Sequence, residues 1–119
     1  MFIEIPGVNV KAGLELCDGN TDIYQRFLHL YVSSMPAALE KMRNVSEKTL
    51  PEYNVTVHGV KGISDTIAAE EVTKKARELE ALAKNGDLAG VLAQNSSFIK
   101  QAENLVSSIQ SWLEKNNKK

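Results

Sequence analysis

The sequence predicts an all-α fold, an antiparallel four-helix bundle with a short N-terminal helix across one end. Only three prolines and seven glycines interrupt the 119 residues. Most of the stretches between them place apolar residues three or four positions apart, as one face of a helix requires. Amphipathic helices joined by short connections can hide such faces only against one another, which favours a bundle. The length fits one domain. We expect a lid helix in 1–19, the bundle in 20–115 and a frayed tail at 116–119.

The first two helices differ in length. Asn9 is a suitable cap for a short first helix, which the Asp-Gly-Asn turn at 18–20 ends. Its apolar residues are Val10, Leu14 and Leu16. The second helix starts at Thr21, but Pro36 lies inside it, and an interior proline costs about 3 kcal/mol. We therefore expect a bend or restart near Ser34, which would cap the second half. The apolar stripe comprises Ile23, Tyr24, Phe27, Leu30, Tyr31, Met35, Ala38, Leu39 and Met42.

Two further helices follow the polar segment 44–48. Thr49 is a suitable cap for the third helix, and Pro51 lies in its first turn, where a missing N–H costs least. This helix should end near Thr66. Its buried face comprises Tyr53, Val57, Val60, Ser64 and Ile67. The fourth helix should span 68–85. It places Val72, Ala76, Leu79 and Leu82 or Ala83 inward, and the solvated pairs Glu70–Lys74 and Glu71–Lys75 outward.

The last helix follows directly, because Gly86 stops the fourth helix and Asp87 can cap the fifth. Its apolar stripe comprises Leu88, Val91, Leu92, Phe98, Ile99, Ala102, Leu105, Val106, Ile109, Trp112 and Leu113. The polar end from Glu114 to Lys119 is expected to fray.

His58, on the third helix, is expected to face solvent. At about 100 degrees per residue, it points roughly 140 degrees away from the mean direction of the buried stripe. Asn54, Val55, Lys61, Gly62 and Asp65 share its side of the helix. Both Gly59 and Gly62 lie within one turn of it, and a glycine inside a helix costs about 1 kcal/mol relative to alanine. Because glycines at these positions destabilise the helix, we expect them to serve another purpose, which is to let another molecule come close to the imidazole.

The imidazole of His58 is a candidate nucleophile for phosphorus. An ordinary histidine side chain is largely neutral at pH 7 and attacks without a general base. Phosphoryl transfer depends mostly on positioning and charge stabilisation, often with a metal ion on the phosphoryl oxygens. The sequence contains neither a Walker loop nor a glycine-rich nucleotide loop, so we do not expect ATP binding. A phosphoryl donor and its metal would therefore come from a partner.

A series of short motifs runs along the chain in a fixed order. It comprises Pro6-Gly7-Val8-Asn9, Gly13-Leu14, Gly19-Asn20 and Tyr24, then His58-Gly59-Val60-Lys61-Gly62-Ile63-Ser64, Ile67-Ala68-Ala69, Leu79-Glu80 and Asn85-Gly86-Asp87. The series resembles the histidine-containing phosphotransfer (HPt) domains of multistep bacterial two-component relays, over almost the whole chain. Three positions depart from that pattern. Val60 replaces a usual leucine, Ile63 occupies a usually small position and Ala68 replaces a common glycine. Ile63 could narrow which receivers dock.

The resemblance implies a phosphorelay intermediate. His58 would accept a phosphoryl group from a receiver-domain aspartate and pass it to another receiver. Lys61 would stabilise charge on the phosphoryl group, and Gly62 would keep the imidazole open. The implied partners are response-regulator receivers and a hybrid sensor kinase. The receiver would supply Mg²⁺, and this chain would bind no cofactor or metal of its own. The expected docking residues are Val55, Gly59 and Asp65.

Composition restricts the other classes of function. Fourteen basic and fifteen acidic side chains give a net charge of -1, which offers no broad basic field for nucleic acid. A single cysteine, Cys17, allows neither an intrachain disulfide nor a cysteine-rich zinc site. The sequence has no export signal and no stretch of about 18 apolar residues. We therefore expect a cytoplasmic monomer that binds neither nucleic acid nor membrane.

Three alternatives stay open at this point. The chain could be a non-catalytic helical adaptor that binds a receiver or sensor kinase without accepting phosphate. It could also be a phosphotransfer module of a larger hybrid kinase, with the same chemistry. A helical metal-binding bundle is the third, and would require Cys17, His29 and His58 to converge.

Overall fold

The computed structural model describes residues 4–116, and this range is helical with no strand. Its five helices are α1 at Val10–Leu16, α2 at Thr21–Met42, α3 at Leu50–Thr66, α4 at Glu70–Lys84 and α5 at Leu88–Asn116. The all-α prediction is therefore confirmed.

Some of the residues that cap the helix N-termini are the predicted ones. The side chains of Asn9 and Asp87 each accept a hydrogen bond from the backbone N–H three residues along, at 3.1 and 2.9 Å, as predicted. α2 is capped by Asn20, which accepts in the same way at 3.1 Å. Thr49 precedes α3 as predicted, but its hydroxyl accepts from the backbone N–H of Ser46 at 2.8 Å and not from the helix.

α2 is one continuous helix, so the restart predicted near Ser34 is wrong. Pro36 lies on its exposed side, where water can replace a missing backbone hydrogen bond. The buried residues are Tyr24, Leu28, Tyr31, Met35, Leu39 and Met42. Ile23 and Leu30, which were predicted inside, are 40% and 52% exposed. The apolar stripe of α2 is thus wider than the surface that its neighbours cover.

The junction between α3 and α4 also differs from the prediction. Ala68 has a left-handed φ of 59°, which ends α3, so α4 begins at Glu70 and not at Ala68. The carbonyl of Ala68 accepts from the N–H of Asn9 at 2.9 Å, and the carbonyl of Ile67 accepts from the hydroxyl of Tyr24 at 2.9 Å. These bonds attach the start of α1 and the first turn of α2 to the junction.

α5 extends further than the sequence indicates. Leu113 is buried, and the side chain of Asn116 donates to the carbonyl of Trp112 at 2.8 Å, so 114–116 belong to the helix and do not fray. The rest of the predicted frayed tail, 117–119, lies outside the described residues. Leu92, which the apolar stripe of α5 places inside, is 54% exposed, and Leu16 at the end of α1 is 68% exposed.

The helices pack as a ring of contacts: α2 with α3, α3 with α4, α4 with α5, and α5 with α2, while α1 packs on α2. All four long helices contribute to a shared apolar core. On α3, the predicted inward residues Tyr53, Val57, Val60 and Ser64 are buried. The opposite side of α3 therefore faces outward between α2 and α4. Within 4–116, no helix is long and apolar enough to cross a membrane.

Candidate functional site

His58 projects outward from the middle of α3. Its side chain is 67% exposed, while Val57 and Val60 are buried on the other side of the same helix. The predicted orientation of the imidazole is therefore confirmed.

A carboxylate on α4 connects the two candidate residues of α3. Oε2 of Glu80 lies 2.5 Å from Nδ1 of His58, and Oε1 of Glu80 accepts from Nζ of Lys61 at 2.6 Å. The side chain of Glu80 is only 9% exposed, and that of Lys61 is 25% exposed. The hydrogen bond from Lys61 holds the pKa of Glu80 below its ordinary value against the opposing effect of burial, with a further contribution from His58.

The ionised carboxylate fixes which ring nitrogen is reactive. A carboxylate without a proton can only accept hydrogen bonds, so Nδ1 of His58 must be the donor. In a neutral imidazole the proton then sits on Nδ1, and Nε2 carries the free lone pair. Glu80 thus directs the unprotonated nitrogen of His58 to the ring edge that lies away from α4.

Gly59 and Gly62 leave open space beside the imidazole. Apart from its chain neighbours and the backbone of α3 itself, a methyl group at either position would have no atom of residues 4–116 within 4 Å. At Gly13, in contrast, a methyl group would lie 2.3 Å from the ring of Tyr24, so that glycine is required by packing. A tight contact between helices, the usual reason for a glycine in a helix, is therefore absent at Gly59 and Gly62 in the described residues. The two glycines of α3 serve no packing inside the described part of the chain.

A groove between α2 and α3 is lined in part by Gly59, the residue that follows His58. It has a volume of about 360 Å³ and is mainly apolar. Its lining includes Ala37, Ala38, Val55, Gly59, Val60 and Ile63, with Lys41 also present. Val55 is 73% exposed. Two predicted docking residues, Val55 and Gly59, therefore lie together in this groove. The third, Asp65, is exposed one turn beyond Lys61.

Glu80 is the site residue that the sequence analysis did not identify. Leu79-Glu80 is one of the motifs that carry the family resemblance, and no role was predicted for its carboxylate. A signal was present in the sequence. Thr73, Ala76, Glu80 and Ala83 are spaced by three or four residues, and all are buried on one face of α4. A carboxylate on a buried face requires a partner, since an unpaired buried charge is costly.

No protein-family model, curated protein or solved structure matches the chain. The described residues 4–116 contain no group of three or more His, Cys, Asp or Glu side chains that could hold a metal ion. The convergence that the metal-binding alternative requires is therefore not seen in that range.

Proposed function

We propose that this chain is a phosphorelay intermediate of the HPt type, an antiparallel four-helix bundle acting as a cytoplasmic monomer. His58 accepts a phosphoryl group from the aspartyl phosphate of one receiver domain and passes it to the aspartate of another. The observation that carries this proposal is the outward imidazole, held at Nδ1 by Glu80 and flanked by two glycines that serve no internal packing.

The geometry supports the following transfer step. The lone pair of Nε2 attacks phosphorus, the N–P bond forms, and the acyl phosphate P–O bond breaks with its electrons leaving on the receiver carboxylate. The imidazole keeps its Nδ1 proton and becomes positively charged. Glu80 then stabilises that charge, as a carboxylate does behind a catalytic histidine in hydrolases. The reverse step requires only that another aspartate attacks the same phosphorus.

Access to phosphorus explains the open face of α3. A receiver must bring its phosphoryl group, and the Mg²⁺ that it would supply, to within bonding distance of one ring edge. Side chains at positions 59 and 62 would stand between the two proteins. The groove beside Val55 offers an apolar contact of modest area, which suits a transient complex.

The test is phosphotransfer from labelled receivers of the source organism. Wild type should gain label that is labile in acid and stable in base, and His58→Gln should gain none. His29→Gln is the matched control, because His29 is the only other histidine and is also exposed. Label on His58→Gln, or an unlabelled wild type across all receivers, would contradict the proposal.

The adaptor alternative is favoured by the groove alone, since a binding protein would use the same apolar surface. It differs in what His58→Gln does. An adaptor keeps its receiver binding and its downstream output in this variant, whereas a relay keeps the binding and loses the output.

A further inference from the structure

The ammonium group of Lys61 already has a partner inside the protein. Its Nζ is bonded to Oε1 of Glu80 at 2.6 Å, and the side chain is three-quarters covered. The other oxygen of the same carboxylate holds Nδ1 of His58 at 2.5 Å. Lys61 and His58 therefore bind opposite oxygens of one carboxylate, and the ammonium lies on the α4 side of the ring.

We propose that Lys61 is a positioning residue that acts through Glu80 and does not bind the phosphoryl group. The inference rests on the proposed function of His58. By holding Oε1, Lys61 fixes the rotation of the carboxylate, so that Oε2 stays on Nδ1 and Nε2 stays unprotonated.

The surroundings of Glu80 explain why this carboxylate needs a lysine. Glu80 is nearly buried between α3 and α4, and burial alone would favour its neutral form. A protonated carboxyl group could donate to Nδ1 and would reverse the tautomer of the imidazole. The Lys61 hydrogen bond is the largest of the effects that keep the pKa of Glu80 low. His58 is too exposed to secure the pairing by itself, since its side chain is 67% in solvent.

Direct and indirect roles of Lys61 predict different behaviour in a double-mutant cycle. If Lys61 stabilised the phosphoryl group itself, its removal would slow transfer equally whether or not Glu80 was present. If it acts through Glu80, its removal has no further effect once Glu80 has been replaced.

The rate measurement uses phosphoramidate as a small donor, for which the N–P bond breaks and ammonia leaves as the Nε2–P bond forms. Wild type, Lys61→Ala, Glu80→Gln and the double variant are compared, with Lys75→Ala on α4 as the control lysine. We expect a loss of about tenfold for Glu80→Gln, by analogy with the carboxylates that orient metal-ligating histidines, and no larger a loss for Lys61→Ala. The double variant should match Glu80→Gln. Losses that multiply in the double variant would overturn the proposal.

The second measurement needs no phosphate. Nitrogen-15 NMR of His58 reports which ring nitrogen carries the proton. Wild type should be protonated mainly at Nδ1, Lys61→Ala should show a mixture, and Lys61→Arg should restore the wild-type tautomer because guanidinium binds carboxylates well. An unchanged tautomer in Lys61→Ala would overturn the proposal. Because the tautomer is read in the resting protein, this result is independent of whether any receiver transfers phosphate to His58.

Discussion

The two faces of α3 differ in the burial of their side chains and in the pairing of their polar atoms. On the inward face the side chains are buried and their polar atoms are paired: the hydroxyl of Tyr53 donates to Oδ1 of Asn95 at 2.8 Å, and Ser64 shares a hydrogen bond of 2.9 Å with Tyr31. On the outward face Val55 is 73% exposed, and two glycines leave open space. The inward face stabilises the fold, whereas the two glycines of the outward face lower helix stability and gain no contact with another helix. This difference is what a surface reserved for another molecule would show.

The largest effect should come from breaking the inward face. In Tyr53→Phe, Oδ1 of Asn95 loses its hydrogen bond in a buried site, while the amide nitrogen of Asn95 still donates to the carbonyl of Met42 at 2.8 Å. Leaving a buried acceptor unpaired costs about 1–3 kcal/mol. We therefore expect Tyr53→Phe to lower the free energy of unfolding by that amount, measured by urea denaturation at pH 7.

The control for this variant is Ser33→Ala, which removes an exposed hydroxyl that donates to the carbonyl of Leu30 at 3.0 Å. Its effect should stay within about 0.5 kcal/mol, as for most surface substitutions. A Tyr53→Phe protein as stable as the Ser33→Ala protein would show that the inward face does not depend on its polar pairs.

Local patterns predicted much of this fold. The spacing of Tyr53, Val57 and Val60 gives the inward face of α3, and the residue types at Asn9 and Asp87 give two helix caps. These features depend on residues within one or two turns, so the sequence contains all that is needed to predict them.

Features that depend on distant residues were missed. Ala68 adopts a left-handed φ, which is rare for alanine, and its carbonyl is bonded by Asn9 from another part of the chain. Glu80 on α4 contacts His58 on α3, which lies 22 positions earlier in the chain. That contact requires a particular alignment of α4 along α3, which hydrophobic periodicity does not determine. The candidate nucleophile was thus predictable, and the spacing along α4 indicates that Glu80 is buried, but the pairing of Glu80 with His58 was not predictable.

The outward face of α3 should become more stable when its glycines are replaced by alanine. Gly59→Ala and Gly62→Ala should each raise the free energy of unfolding by about 0.5–1 kcal/mol, because alanine favours helix and the added methyl group would have no atom of the described chain within 4 Å apart from its chain neighbours and the backbone of α3. Phosphotransfer from a receiver should slow in Gly62→Ala and more strongly in Gly62→Gln. Thermal unfolding and transfer rates on the same samples would show stability and activity changing in opposite directions.

Gly13→Ala is the matched control for those substitutions, since its methyl group would lie 2.3 Å from the buried Tyr24 ring. Overpacking of this kind costs about 1–3 kcal/mol, so this variant should be destabilised. Loss of stability in Gly59→Ala or Gly62→Ala would mean that these glycines are structural after all, and the contrast between the two faces of α3 would fail.

The smallest change in the free energy of unfolding is expected for substitution of Glu80, whose carboxylate lies at the boundary between the two faces of α3. Its pKa is lowered from the ordinary 4.5, first by the hydrogen bond from Lys61, so the ionised form is favoured in the folded protein. The resulting stability is present above pH 4.5 and is lost as the pH falls through the lower folded-state pKa. We expect a Glu80→Gln variant to be less stable than its parent at pH 7 by about 1 kcal/mol or less, because both partners of Glu80 reach solvent.

The test compares His58→Gln with His58→Gln/Glu80→Gln by urea unfolding from pH 7 to pH 3, so that neither protein has an imidazole at position 58. The difference between these two proteins should narrow only in the acid range, as the carboxylate gains its proton. A difference that stays constant down to pH 3 would mean that the ion pair with Lys61 contributes nothing to folding. Glu80 would then belong to the outward face alone, retained for its bond to Nδ1 of His58 and not for the packing of α3 against α4.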